Sequence, residues 1–202
     1  MGLQYVEKFA ELSQGMQKSL DTLFTSVVLE SWLFFEAFCS DLWVTTVDNA
    51  GDIISGRVIA YQKWEKGEML ASNIPHPIIS KAKTQPGSYR RDLEMVSFQT
   101  LRSIKQFFKA AFGDNIGGIF DNTASGYITA LSEVRNCITH RAGKVDAKFK
   151  INTQGRFSEF DTLNVGDDLL LDGELVKKLR NAAADTGSEL LKTVDEMLLC
   201  GD

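Results

Sequence analysis

The sequence contains few of the residues from which metal sites and disulfides are built. Its 202 residues include only two histidines, His76 and His140, and three cysteines, Cys39, Cys137 and Cys200. No Cys-x-x-Cys pair is present, so one copy of the chain cannot form a usual structural zinc site. An odd number of cysteines without paired spacing gives no disulfide framework. We therefore expect no metal and no cofactor, and a reducing, cytoplasmic location.

The sequence also lacks an uncharged apolar run long enough to span a membrane. Its most apolar stretch, from Leu23 to Val47, is interrupted by Glu30, Glu36 and Asp41. Each charge at the centre of a bilayer costs about 3 kcal/mol. The N-terminus has no basic region followed by an apolar segment, as a secretory signal would. We expect a helix that packs against protein, and no membrane partner.

Proline is scarce, and its distribution divides the chain. All three prolines lie between residues 48 and 90, where Asn73-Ile74-Pro75-His76-Pro77 and Gln85-Pro86-Gly87 interrupt any helix. This pattern predicts an irregular insertion over 48–90, with a short helix near Arg57 to Trp64. A chain of 202 residues is long enough to bury a real core, and we predict a single domain over 1–202.

Outside the insertion, apolar residues recur at helical spacing and predict an all-α bundle of about four long helices. Apolar side chains occupy nearly the whole circumference of the helix around Val27 to Leu42. That helix is therefore either central in the bundle or part of a subunit interface. The predicted helices are Leu3 to Leu20, a second one from a cap at Asp21 or Thr25 to Val47, Asp92 to Phe112, Ala124 to Arg141, and Glu174 to Leu199 after an Asp172 cap. Seven residues are predicted to form the buried face of the last helix: Leu175, Leu179, Ala182, Leu190, Leu191, Val194 and Leu198.

Residues 144–171 are expected to form a small extended appendage before the C-terminal helix at 173–199. Apolar and polar residues alternate in KFKIN and in GRFSEF, on either side of Thr153-Gln154-Gly155. Such alternation around a turn predicts a β-hairpin. A second extended piece is predicted over Leu163 to Leu171.

Positive charge is concentrated in two segments of an otherwise acidic chain. Residues 81–109 and 135–156 each carry a net charge of +5, whereas the whole chain carries −5. In the first segment Arg102, Lys105 and Lys109 follow i, i+3, i+7 on one helical face. This basic stripe is either a solvated surface or part of an RNA-binding track. The glycine-rich loop from Gly113 to Gly126 has no following Gly-Lys-Ser/Thr and is not a phosphate-binding P-loop.

The segment from Arg135 to His140 concentrates residues capable of chemistry. On an ideal helix Asn136 and His140, spaced i, i+4, share the face opposite the apolar stripe, and Arg135 flanks them. Gly143 is well placed to end this helix in a left-handed conformation. Cys137 is either a nucleophile or a small buried side chain, and no Cys–His–acid arrangement favours the first reading. The apolar stripe consists of Leu131, Val134 and Ile138.

Arginine, asparagine and histidine together suit the cleavage of RNA. RNA supplies its own nucleophile, the 2′-hydroxyl, so cleavage requires only a base, an acid and a cation beside the phosphate. Histidine serves as base or acid near neutral pH, and a guanidinium pairs with phosphate oxygens. Because one histidine cannot make both proton transfers at once, a two-fold dimer that joins two copies of the site would be required. The apolar surface from Val27 to Leu42 would help such a dimer to form.

The string SEVRNCITHRAGKVDAKF resembles the motif of HEPN domains (higher eukaryotes and prokaryotes nucleotide-binding). In that motif an arginine and a polar residue precede a histidine, as Arg135, Asn136 and His140 do here. The resemblance implies an all-helical bundle, a homodimer with a composite cleft, and metal-independent endoribonuclease activity on RNA. It also implies a toxin–antitoxin or other defence system, with an antitoxin or defence protein as a partner. Ala142 stands where related toxins carry a modifiable tyrosine, so that form of silencing is not expected.

Basic residues beside the motif extend the candidate site. Arg141, Lys144 and Lys148 lie within eight residues of His140, and with the basic stripe they are candidates for binding RNA phosphates. Two alternatives remain open. His140 near a helix C-terminus also favours the helix dipole without any catalytic role. The whole chain would then be a catalytically inactive HEPN-like scaffold or partner-binding protein.

Overall fold

The computed structural model of the chain describes residues 2–49, 96–122 and 126–199, together with residues 85, 87, 88 and 91; of residues 2–11 and 122 it describes only the backbone. The described residues form six α-helices and contain no strand, which confirms the all-α prediction. The predicted insertion over 48–90, including the short helix at Arg57 to Trp64 and His76, lies almost wholly outside the described residues.

The first helix, α1, is continuous from Gly2 to Asn49. The predicted break at Asp21 or Thr25 is wrong, because neither residue caps a helix. Instead the Asp21 carboxylate accepts a hydrogen bond from the Gln17 amide, one turn earlier on the same helix, at 2.9 Å. Without glycine or proline near this point, nothing in the backbone interrupts the helix.

Two sides of α1 differ sharply in burial. Trp32 and Phe35 are buried, whereas the adjacent Leu33 and Phe34 are 61% and 72% exposed. Around Leu33 and Phe34 the described parts of the chain therefore do not cover α1, whereas a central position in a bundle would require them to. By length and composition its segment Leu12–Asn49 could cross a membrane, and 22% of its most apolar window is buried; buried core helices and signal sequences pass the same test.

The chain divides into two compact units. Unit 1 comprises Met1–Trp32 and Ala130–Ala183, and unit 2 comprises Leu33–Thr129 and Ala184–Asp202.

In unit 2 the helix α2, Leu101–Phe112, begins nine residues later than the predicted start at Asp92. The Thr100 hydroxyl accepts a hydrogen bond from the Ser103 amide at 3.1 Å and so caps the helix. Before the cap, Val96 and Phe98 are buried while the residues between and after them are exposed, as in an extended segment. The glycine-rich stretch after α2 is a 3₁₀-helix, Asp114–Gly118, followed by the short helix α3, Ile119–Asn122.

The core of unit 2 is aromatic. The rings of Trp43, Phe98 and Phe107 lie 5.5 to 6.1 Å apart, centroid to centroid. The Trp43 indole N–H donates to the Phe107 carbonyl at 2.9 Å, so the indole is buried without losing its hydrogen bond. At the end of α1, the Asp48 carboxylate accepts hydrogen bonds from the amides of Gly87 and Ser88.

In unit 1 the helix α4, Tyr127–Arg141, continues from unit 2 and is followed by α5, Ala147–Thr153. The predicted β-hairpin is therefore wrong. The Asp146 carboxylate caps α5 by accepting the Phe149 amide at 2.8 Å, and Phe149 and Thr153, spaced i, i+4, are both buried. The residues of GRFSEF form a turn and the 3₁₀-helix Ser158–Phe160, with the Phe149 and Phe160 rings 5.2 Å apart.

The end of unit 1, with the last helix that continues from it into unit 2, agrees better with expectation. Residues 163–172 are non-helical, and an isolated antiparallel bridge pairs Lys144 with Asp168. The helix α6 extends over Gly173–Leu199, and the Asp172 carboxylate caps it by accepting the Leu175 amide at 2.7 Å. Of its seven predicted buried residues, Leu191 and Leu198 are exposed, and the other five are buried: Leu175, Leu179, Ala182, Leu190 and Val194.

Candidate active site

The C-terminal half of α4 carries the Arg135 to His140 motif. Leu131 and Val134 are fully buried, Ile138 is half-buried and His140 is exposed. This agrees with the ideal-helix expectation that the histidine lies away from the core.

The Arg135 side chain is held in place by two contacts. Its guanidinium lies over the buried Trp32 ring of α1, with 5.8 Å between the guanidinium carbon and the ring centroid. Its Nη1 also donates to the Asn136 amide oxygen at 3.0 Å. A guanidinium over an aromatic face is attracted by the ring electrons. Arg135 is thus half-buried and pre-oriented, and Asn136 is occupied in orienting it.

His140 is exposed and lies one residue before the end of α4. Ala142 and Gly143 both have positive φ, 51° and 78°, so two successive left-handed residues end the helix rather than the single glycine predicted. The Gly143 amide donates to the Cys137 carbonyl at 3.1 Å and satisfies one of the free carbonyls of the last turn. The chain turns away immediately after the histidine.

Arg141 and Asp146 connect the end of α4 to the start of α5. The Arg141 Nε donates to the Asp146 carboxylate at 3.0 Å. The hydrogen bonds from the Phe149 amide and from Arg141 hold the pKa of Asp146 below its ordinary value. Arg141 remains more than half exposed, and exposed ion pairs stabilise proteins little, so this pairing does not prevent contact with an anion.

The two predicted lysines beside the motif are exposed. Lys144 forms an ion pair with Asp168 at 2.6 Å, on the residue pair that also makes the β-bridge. Lys148 lies on α5, and its positive charge opposes the rise in the pKa of Glu133 and adds to the lowering of the pKa of Asp146.

Glu133 makes a contact that sequence analysis did not identify. Its carboxylate accepts a hydrogen bond from the Asn152 side chain of α5 at 2.9 Å. Burial raises the pKa of this half-buried carboxyl group, and the Asn152 hydrogen bond opposes that shift. Glu133 precedes Asn136 by three residues and His140 by seven, so on an ideal helix all three share one face.

Cys137 has a structural role. It is buried, and its thiol donates to the Lys144 carbonyl at 3.2 Å. Burial, with the nearby Asp146, raises the pKa of the thiol to about 11. Because the thiolate is the nucleophile, the structure favours the small-buried-side-chain reading of Cys137.

The predicted basic stripe of α2 lies in unit 2, and two of its three members pair with carboxylates of that unit. Lys105 forms an ion pair with Asp121, and Lys109 lies 3.8 Å from Asp114. The Lys109 chain packs over Gly117, where a Cβ atom would lie 2.0 Å from the lysine Cε. Arg102 is exposed. Surface ion pairs of this kind are weak, so both readings of the stripe, a solvated surface and an RNA-binding track, stay predictions.

The described residues include a cleft but no group of potential metal ligands. Within the part of the chain that the structure describes, no three His, Cys, Asp or Glu residues are grouped to hold a metal ion. A cleft of about 570 Å³ in unit 2 is lined by Leu33, Glu36, Arg91 and Phe98 among others. None of the predicted catalytic residues lines that cleft.

The motif is recognisable in the sequence, but the residues that support it are not. Trp32 is 103 positions from Arg135, and Asn152 is 19 positions from Glu133. Local spacing carries no signal for such contacts. A usable signal for Glu133 was its i, i+3 spacing from Asn136, which places both side chains on one face of the helix.

No family model, no curated protein and no solved structure matches this chain.

Proposed function

We propose that the chain is a metal-independent endoribonuclease of the HEPN type. The observation that carries the proposal is the combination of an exposed His140 at the end of α4 with a half-buried Arg135 held by Trp32 and Asn136. The histidine is open to a large substrate, and the guanidinium is already oriented. Groups that are fixed before the reaction stabilise developing charge more effectively than mobile groups.

In the proposed reaction the 2′-hydroxyl of RNA attacks the adjacent phosphorus and forms a 2′,3′-cyclic phosphate while the P–O5′ bond breaks. One His140 imidazole removes the proton of the 2′-hydroxyl, and a second, protonated imidazole donates a proton to the departing 5′-oxygen. Arg135 stabilises the negative charge on the phosphorane oxygens. Asn136 orients Arg135 through its amide oxygen.

The second imidazole comes from a second copy of the chain in this proposal, since His140 is the only histidine of the motif. Leu33 and Phe34 on α1 support the dimer, because both are well exposed in one copy and apolar area of this kind is commonly covered by a subunit interface. The HEPN-like bundle belongs to the same proposal. It is supported by four described helices of 12 to 48 residues: α1, α2, α4 and α6.

A defence or toxin–antitoxin setting, with an antitoxin as partner, is part of the proposal through the motif alone. A nuclease that acts on cellular RNA has to be restrained, and the exposed His140 is accessible to a protein that covers it. Expression of the chain should therefore be toxic, and the toxicity should disappear with His140→Ala.

Purified protein is expected to cleave single-stranded RNA in excess chelator and to leave 2′,3′-cyclic phosphate ends. His140→Ala should reduce the cleavage rate by about 10²–10⁴-fold, the usual contribution of a general acid or base. Arg135→Lys, which keeps the charge but loses the planar fork, should also reduce it strongly.

The matched controls are His76→Ala, at the other histidine of the chain, and Arg180→Ala, at an exposed arginine on α6. Both should cleave like the wild type. Equal cleavage by His140→Ala would eliminate the catalytic assignment. Absence of cleavage by the wild type, with a stable complex formed by a co-expressed neighbour-encoded protein, would establish the partner-binding alternative instead.

A further inference from the structure

The Glu133 and Asn152 side chains join the two helices that border the candidate site. Asn152 lies on α5 and donates to the Glu133 carboxylate of α4 at 2.9 Å. The face of α4 that carries Glu133 continues to Asn136 and His140 at i+3 and i+7. The contact therefore connects α5 to the catalytic face of α4, one turn from Asn136.

Lys148 lies on the same helix as Asn152, α5. It precedes Asn152 by four residues, so both side chains share one face of that helix. Four groups act on Glu133: Asn152 by its hydrogen bond, and Lys148, Asp146 and Arg156 by their charges. The Lys148 side chain is exposed and lies one helical turn from Asn152, towards the end of α5 that is nearer in sequence to His140.

The position of α5, which carries Lys148, depends on packing and hydrogen bonds to the rest of unit 1. α5 has only seven residues, and isolated helices of that length are not stable in water. Phe149 and Thr153 are buried on one side, and Lys150 donates to the carbonyls of Phe160 and Asp161. Towards α4, Asp146 at the start of the helix accepts from Arg141, and near its end Asn152 donates to Glu133.

We infer that the Glu133–Asn152 hydrogen bond is a clasp that positions Lys148 beside the Asn136 and His140 face, where its ammonium binds an RNA phosphate. This inference rests on the proposed ribonuclease function. It adds two positioning residues, which place a lysine that the sequence already suggests as a phosphate ligand. Glu133 and Asn152 act through Lys148 and touch no reacting atom.

A simpler role for Glu133 makes the opposite prediction. If its carboxylate were only a negative charge near the RNA, its removal would strengthen binding. Glu133→Gln removes the charge but keeps an amide oxygen that can accept the Asn152 hydrogen bond. Glu133→Ala removes both. A clasp predicts that only the alanine variant weakens binding, whereas a repulsive charge predicts that both variants strengthen it.

The test measures binding of a fluorescent single-stranded RNA oligonucleotide by anisotropy, in full-length protein that carries His140→Ala so that the RNA stays intact. Glu133→Ala should weaken binding about three- to tenfold, the usual range for one hydrogen bond or phosphate contact. Asn152→Ala and Lys148→Ala should do the same, and Glu133→Gln should stay within about twofold of the parent protein. Glu189→Ala, at an exposed glutamate of α6, is the matched control and should change nothing.

Two further readouts separate the clasp from a general loss of structure. The double variant Glu133→Ala/Lys148→Ala should bind no more weakly than Lys148→Ala alone, because coupled residues are not additive. The slope of log Kd against log salt should fall by the same amount, about 0.7 for one phosphate on a single strand, in each of the weakened variants. Circular dichroism should show that all variants keep the helix content of the parent protein.

Several results would overturn the inference. These are tighter binding by both Glu133 variants, unchanged binding by Glu133→Ala and Asn152→Ala, losses that multiply in the double variant, or no RNA binding at all. The proposed function is judged separately by cleavage. If the wild type cleaves RNA and the clasp pattern is missing, only the clasp fails. If the binding pattern holds and the wild type cleaves nothing, the nuclease fails and the phosphate subsite stands.

Discussion

The guanidinium of Arg135 lies 5.8 Å from the centre of the Trp32 ring, so a residue of the N-terminal helix supports the arginine of the candidate active site. Trp32 is buried, and the guanidinium covers one face of its ring. The same guanidinium donates to Asn136. Arg135 is therefore held from two directions before any substrate binds.

Replacement of Trp32 tests whether this support matters for catalysis. Trp32→Leu removes the ring and should lower kcat for RNA cleavage about two- to thirtyfold, since a cation–π contact contributes roughly 0.5–2 kcal/mol. Trp32→Phe keeps an aromatic face and should lose less. Steady-state cleavage rates, compared with thermal unfolding of both variants, provide the measurement. Equal kcat in the two variants at equal thermal stability would refute the role of the ring.

Charge on the exposed side of α1 tests the proposed dimer. Phe34→Asp should convert a dimer to a monomer, as measured by sedimentation, and should abolish cleavage while leaving the helix content unchanged. The helix content should not change because Phe34 is 72% exposed in one copy, so its replacement disturbs no core. Leu191→Asp, at an exposed leucine of α6, is the control. A wild-type protein that cleaves RNA as a monomer would contradict the two-histidine mechanism.

The carboxyl group of Asp146 predicts a pH-dependent contribution to stability. Its pKa is lowered from 3.8 by the hydrogen bonds from the Phe149 amide and Arg141. A lowered pKa in the folded state means that the contribution is present above 3.8 and is lost as the pH falls through the folded pKa. Asp146→Ala should therefore be less stable than wild type at pH 7. The difference between the free energies of unfolding of the two proteins, measured by urea titration, should narrow below about pH 4, because the ordinary pKa of the carboxyl group is 3.8.

A constant difference from pH 7 to below pH 4 would show that the cap does not depend on the ionised carboxylate. Asp185→Ala, at an exposed aspartate of α6, should match the wild type throughout and serves as the control.

The left-handed end of α4 predicts opposite effects for two neighbouring substitutions. Ala142 has a φ of 51°, which is strained for any residue with a Cβ atom. Ala142→Gly should therefore raise the free energy of unfolding by about 0.5–1 kcal/mol. Gly143 has a φ of 78°, and Gly143→Ala should lower it by about 1 kcal/mol. Urea denaturation measures both. A lower stability for Ala142→Gly would mean that the φ of this residue is not left-handed in solution.

The prediction of secondary structure succeeded where the signals are local. The Asp172 cap and most of the buried face of α6 were predicted, because a cap involves three residues and an apolar stripe repeats within seven. Leu191 and Leu198 deviate because periodicity identifies apolar positions but does not show how far a neighbouring surface extends over them.

The prediction failed where a pattern fits two structures. Residues 148–160 alternate as a strand does, yet Phe149 and Thr153 are also spaced as one face of a helix. The decision for a helix depends on the Asp146 cap and on the contact between the Phe149 and Phe160 rings. Similarly, the continuity of α1 through Asp21 follows from the absence of any breaker, which outweighs a residue type that is frequent at caps.

From its sequence alone this chain was identifiable as helical, with a polar Arg-Asn-x-x-x-His face at the end of one helix, because helix periodicity and capping act over a few neighbouring residues. The tertiary structure decided which side chains stand behind that face: Trp32 beneath Arg135, and Asn152 against Glu133. Those partners lie on other helices, and they meet only because apolar side chains far apart in the sequence bury one another in a common core.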